Sequence, residues 1–246
     1  KNKLESSDNE KDYNLVRKYL LNDTPLGQKK PNIWLHLEYK INSRNWDSFY
    51  SRNTNQLNQP YLYLTIKSLI DKCGDEFNIC LIDDNSFTNL LSNWNIDLEF
   101  VAEPIKSKLR TLAFTKLLYN YGGMLIPPSF LCLKNLLKTF NKKKKNNKLF
   151  VGDLLNRNVT AKDNNLYMNN KFMGCKQFCD KINEYSNYLQ ILISKDYTNE
   201  SSFTGEINKW LEENMETNEI TALTAEELGL VNRENKVIKI EDMMSN

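Results

Sequence analysis

Apolar positions along the chain change period several times, and each change marks an element. Leu15, Val16, Tyr19 and Leu20 form a short helical stripe that Asn22-Asp23-Thr24-Pro25 closes. Ile33 to Tyr39 alternates and is rich in strand formers, so a first strand is expected there. A polar loop follows over 40–56. Pro60-Tyr61 opens a helix that ends at Cys73-Gly74. Phe77–Ile82 reads as a second strand that runs into Asp83-Asp84-Asn85-Ser86, with a helix over Phe87–Trp94 and a short strand over Leu98–Val101. Lys108–Tyr121 is the best helix, since Leu109, Leu112, Ala113, Leu117 and Tyr121 share helical spacing and Gly122-Gly123 stop it. Met124–Ile126 is a third strand, cut short by Pro127-Pro128, with extended chain again at Phe130–Leu133.

The second half repeats the logic. Residues 141–148, dominated by lysine, read as a solvated loop tip. Leu149–Asp153 is a fourth strand, 156–171 a long polar loop, and Phe172–Cys175 a short strand and turn. Asp180–Ser194 and Ser202–Asn214 are amphipathic helices, with Glu206 in the first turn of the second as a dipole partner. A turn over Glu226–Leu230 and a strand over Val237–Ile240 finish the chain. Strands alternating with helices predict an α/β domain with a mostly parallel sheet flanked by helices. Residues 1–30 are expected to be a polar extension with a short helix, and 31–246 the domain. Ligands of such sheets sit beyond the carboxyl ends of the strands, which here means the segments after Tyr39, at Asp83-Asp84 and at Pro127-Pro128.

Composition narrows the function classes. Of 246 residues, 40% are hydrophobic, enough for a packed core. Lys+Arg total 33 against 31 Asp+Glu, so no basic excess points to nucleic acid. No apolar run approaches the roughly 20 residues that span a bilayer, and a soluble domain is expected, although an anchor upstream of Lys1 would change its localisation. Five cysteines without a CxxC pair, beside the single His36, read as free thiols. His36, between Leu35 and Leu37, reads as a structural mid-strand histidine. Asp83-Asp84 suits either a metal or ribose hydroxyl at a strand end, or the capping of the next helix by Asp84, Asn85 or Ser86. No GxGxxG, P-loop, GxSxG or HExxH occurs.

The stretch Leu117-Leu118-Tyr119-Asn120-Tyr121-Gly122-Gly123-Met124-Leu125-Ile126 resembles the core of the Asp-x-Asp glycosyltransferases of the Golgi mannosyltransferase and capsular-polysaccharide type. Cys132-Leu133-Lys134-Asn135-Leu136, the strand Ile33–Tyr39, the Ile82–Asn85 segment and Phe172–Cys175 are similar to that family too, so the likeness covers roughly residues 31–180. Leu57–Leu62 and Pro128–Cys132 look like the branch found in large DNA viruses. The resemblance implies a GT-A, Rossmann-like fold, with Gly122, Gly123, Arg110 and Thr111 on the substrate side.

The departures from the family are chemical. Aligned on Gly122-Gly123, its metal-binding aspartates fall on Pro127 and Ser129, and its helix Asp and Arg fall on Thr111 and Phe114. Neither Pro127 nor Ser129 is an anionic ligand. Arg110 and Lys116 stand at other angles on the helix, at about 100° per residue. The first expectation is therefore a non-catalytic, glycosyltransferase-like structural or binding module, with virion or capsid proteins as partners, no nucleic acid, no cofactor, and a virion or host-cytoplasm location. The alternative is an active metal-independent transferase of a nucleotide sugar. In it Asp83, Asp84 and Asp153 contact the nucleotide or act as base, and Arg110 or Lys108 offsets the diphosphate charge. Mn²⁺ and a nucleotide sugar belong only to a transferase reading.

Overall fold

The computed structural model describes residues 14–22, 30–37, 60–155, 166–195 and 200–238. Six strands form one sheet: β1 (Asn32–His36), β2 (Asn78–Ile82), β3 (Gly123–Leu125), β4 (Leu149–Leu155), β5 (Leu166–Cys175) and β6 (Ile220–Leu223). Their spatial order is β2-β1-β3-β5-β4-β6. β1 pairs in parallel with β2 and β3, and β4 with β6, while β5 runs antiparallel to both β3 and β4. Five strands thus point one way, and the sheet is mixed but mostly parallel, compatible with a Rossmann-like fold.

Helices cover both faces: α1 (Pro60–Cys73), α2 (Ser86–Leu90), α3 (Ile105–Tyr121), α4 (Leu137–Lys143), α5 (Asp180–Ser194) and α6 (Glu200–Glu216). The period of two in each strand divides the core. Ile33, Leu35, Ile79, Met124 and Phe150 pack with α1 and α4 in one cluster. Trp34, Cys80, Ile82, Leu125 and Val151 pack with α3, α5 and α6 in the other. Strands buried on both faces read as continuous apolar runs, which is why β1 and β2 were legible. Trp34 is fully buried, and its indole Nε1 donates to the Gly122 carbonyl at 2.9 Å, fixing the end of α3 against β1. Residues 14–22 lie along the outer edge of β2: Leu20 bridges Cys80, and the Asn22 side chain bonds the Gly74 and Phe77 carbonyls and the Ile79 N–H.

Several expected elements are corrected. Leu98–Phe100 is a 3-10 turn, not a strand, because the Asp97 carboxylate accepts from Glu99 N–H at 2.9 Å. The first helix after β2 stops at Leu90, short of Trp94, and α3 begins three residues before Lys108. The loop expected up to residue 171 is strand from Leu166, and Phe172–Cys175 is the end of that ten-residue β5. β6 was not anticipated at all. The predicted strand at 237–240 is reduced to a single bridge between Val231 and Val237, with 239–240 outside the described residues. Residues 38–39 of the first predicted strand and the 40–56 loop also lie outside them.

The lysine run is mostly exposed, as expected, but it is not a loop throughout and one of its lysines is buried. It forms the end of α4 and a 3-10 turn. Lys143 is buried, donating to the Ala222 carbonyl at 2.7 Å and pairing with Glu227, and Lys148 bonds the Asn218 carbonyl. All five cysteines are buried free thiols. No described helix is long and apolar enough to cross a membrane.

Candidate functional site at the carboxyl ends of the strands

β1, β2 and β3 run in register, so their carboxyl ends open at one edge of the sheet. β1 ends on His36, which is its last residue and not mid-strand, and β2 leads into Asp83 and Asp84. Asp84 holds the centre of this edge. Its Oδ1 accepts from His36 Nε2 at 2.9 Å and from Arg110 Nε at 2.8 Å, and its Oδ2 accepts from Arg110 Nη2 at 2.8 Å. Lys106 Nζ stands 3.8 Å from Oδ2. An ionised carboxylate only accepts, so Nε2 carries the His36 proton on this side. The ring is clamped in that orientation by Phe87, stacked at 5.8 Å, and by Phe114, edge-on at 5.2 Å.

The Asp84 and Arg110 side chains are only 18% and 11% exposed. Burial alone would raise the Asp84 pKa. The hydrogen bonds and charges of His36 and Arg110 outweigh it and hold the carboxyl well below the usual carboxylate range. Two-pronged Arg–carboxylate geometry is the strong form of such a pair. Asp84 is therefore fully engaged by its own chain.

Asp83 does something else. Its Oδ1 accepts from Ser86 N–H at 3.0 Å and from Ser86 Oγ at 2.7 Å, while Ser86 Oγ accepts from Asp83 N–H. This reciprocal pairing closes the turn that leads into α2. Capping was expected from Asp84, Asn85 or Ser86; Asn85 takes the N-cap position without a side-chain capping bond, Ser86 is tied to Asp83, and Asp84 takes the charged role. Asp153 lies on β4, three strand positions from β1 in the sheet. It accepts from Ala225 N–H at 2.8 Å and ties β4 to the following turn. Burial raises its pKa, so its favourable contribution is complete below the unfolded carboxylate value and is lost as pH rises through the folded one. Asp153→Asn keeps an acceptor and removes the buried charge. Its stability at neutral pH is expected within about 0.5 kcal/mol of the parent or slightly higher, by urea unfolding.

Gly122 and Gly123 stand at the amino ends of the strands, opposite this edge, where they make the helix-to-strand turn. Pro127 and Ser129 follow β3 in a turn closed by Phe130 N–H on the Pro127 carbonyl, and Thr65 of α1 donates to the Pro128 carbonyl at 2.7 Å. Glu206 is in the second turn of α6, not the first, and contacts the Tyr188 hydroxyl.

Beside the Asp84 cluster a cavity of about 380 Å³ opens between α3, β5 and α6. Ser107, Arg110, Thr111 and Phe114 line it from α3; Tyr167, Asn169 and Lys171 from β5; Phe203 and Asn208 from α6. Lys108, which also lines it, is 3% exposed, with Nζ 5.0 Å from the centre of the Phe203 ring. Asn208 Oδ1 is buried without a hydrogen-bond partner. The lining carries the cations Lys108, Arg110 and Lys171 and no carboxylate. This wall chemistry suits an anionic ligand with a flat or apolar part.

Of the residues singled out in the sequence, the structure brings His36, Asp84, Lys108, Arg110, Thr111 and Phe114 to this side of the molecule. It corrects the view that Arg110 points elsewhere. Arg110, Phe114, Leu117 and Tyr121 repeat at helical spacing, and Leu117 is fully buried. That stripe, extended one turn back, was the available signal for an inward arginine. Among the described residues no group of three or more His, Cys, Asp and Glu could hold a metal ion. Compared with known proteins, the chain matches no family model, no curated protein and no solved structure.

Proposed function

We propose that the chain is a glycosyltransferase-like domain that serves as a structural or binding module and does not carry out metal-assisted sugar transfer. The observation that carries this reading is the saturation of Asp84 by Arg110 and His36. A carboxylate with both oxygens engaged by an arginine, and one of them also by a histidine N–H, neither ligates a metal nor takes a proton near neutral pH. The neighbouring donors support the same reading. Asp83 is engaged by Ser86, and at the exit of β3 stand Pro127 and Ser129 in place of carboxylates. This donor set does not fit Mn²⁺. The resemblance noted in the sequence extends the reading to a particle- or capsid-associated role in a large DNA virus, with other proteins as partners.

The purified domain, incubated with UDP- and GDP-sugars and Mn²⁺, is expected to release no nucleoside diphosphate above the blank. Turnover that scales with enzyme would overturn the reading.

One observation favours a second reading. The cavity walls carry Lys108, Arg110 and Lys171 without a carboxylate, and a diphosphate could be neutralised there by side chains alone, as a metal-independent transferase requires. That reading predicts nucleotide-sugar binding without Mn²⁺, weakened by Lys171→Ala, a change at an exposed position.

A further inference from the structure

A second cavity, of about 220 Å³, lies between the carboxyl-terminal half of α3, α5 and the turn at residues 91–94. None of the residues of the Asp84 cluster lines it, so it stands independently of the function proposed above. One buried polar group lines it without a partner: Trp94 is 5% exposed, and its indole N–H has no acceptor. Buried polar groups in folded proteins are nearly always satisfied, so an orphan at a cavity points to a ligand that completes it.

The rim has a matching character. Asn183, Asn187 and Gln190 join Ser186 at i, i+4 and i+7 along α5, and none of these amides is hydrogen-bonded within the described residues. Asn93 and Asn120 face them from the turn and α3, with the Tyr119 ring between. Lys116 is the one charged residue in the lining. A charged ligand would find no set of counter-charges here, and an apolar one would strand the amides. An uncharged molecule with many hydroxyls matches, because each hydroxyl both donates and accepts, as an amide side chain does. Aromatic faces take its C–H side. The volume equals about seven waters, room for one sugar ring rather than a chain.

We propose that this cleft between α3 and α5 binds a neutral monosaccharide unit, either free or as the end of a neutral glycan. Amide-resolved NMR titration of the full chain with methyl glycosides of glucose, galactose, mannose and N-acetylglucosamine tests it. At least one glycoside is expected to give saturable shifts confined to residues 91–94, 116–120 and 183–190. Asn187→Ala and Gln190→Ala, both at exposed positions, are expected to weaken that binding about five-fold each, the loss of one net hydrogen bond, with the spectrum otherwise unchanged. Absence of saturable shifts at tens of millimolar would overturn the proposal. So would shifts elsewhere, parental affinity in both variants, or tighter binding of N-methylacetamide than of every glycoside.

Discussion

Gly123→Ala is expected to unfold the domain. Gly123 has φ +101°, a conformation that L side chains rarely adopt. A Cβ there would lie 2.2 Å from the Asn32 carbonyl oxygen and 2.9 Å from its carbon. Those atoms are backbone of β1, the central parallel partner of β3, so they cannot rotate aside as a flexible side chain would. Relief requires β3 to slide off β1, and with it the register that seats Met124 and Leu125 in the two core clusters. Strain of this kind costs about 4 kcal/mol or more, against a total of roughly 5–15 kcal/mol for a domain. Circular dichroism and urea unfolding check it. A variant within about 1 kcal/mol of the parent would mean that the turn is not the constraint described. Gly123 is thus required by the fold itself.

Arg110→Ala is expected to destabilise the protein by about 2–3 kcal/mol, toward the low end for breaking a buried ion pair because His36 and Lys106 still face the carboxylate. The pH dependence separates this from a simple loss of packing. The folded Asp84 sits below its unfolded value, so its stabilisation is complete above about pH 5 and is lost as pH falls through the unfolded range toward the folded value. In the parent, stability should therefore fall steeply with acid below that point. In Arg110→Ala the limb should be shallower, because less stabilisation remains to be titrated away. Asp84→Asn combined with Arg110→Met, which removes both charges together, should recover part of the loss. Parallel acid limbs in parent and Arg110→Ala would contradict the electrostatic account.

What the sequence could and could not disclose follows from the range of each interaction. β1 and β2 were legible because both of their faces are buried, and α3 because Gly122 ends a clean helical stripe. The first half of β5 was not legible, since Tyr167, Asn169, Asn170 and Lys171 carry turn-like and polar composition. Asn169 is held there by accepting from Lys171 N–H, and Asn170 by donating to the Tyr185 hydroxyl fifteen residues on. β6 is four residues long, two of them Thr and Ala, and its strand identity comes from pairing with β4 some seventy residues earlier. At the site, the acidic pair after β2 was visible as a candidate, but its division of labour was not. Asp83 pairs locally with Ser86. Asp84 pairs across 26 residues with Arg110 and 48 with His36. Periodicity reports which face a residue occupies, and such distant partners are decided by how helices and strands meet. The same limit applies to the lysine run, where Lys143 looks solvated in the chain and is buried against β6 in the fold.

The most direct test of the central claim is calorimetric titration of the domain with UDP- and GDP-sugars, with and without Mn²⁺. The account predicts no Mn²⁺-dependent heat, because Asp84 is engaged by Arg110 and His36 and the exit of β3 carries Pro127 and Ser129. Micromolar binding that appears only with Mn²⁺, followed by release of nucleoside diphosphate, would contradict it.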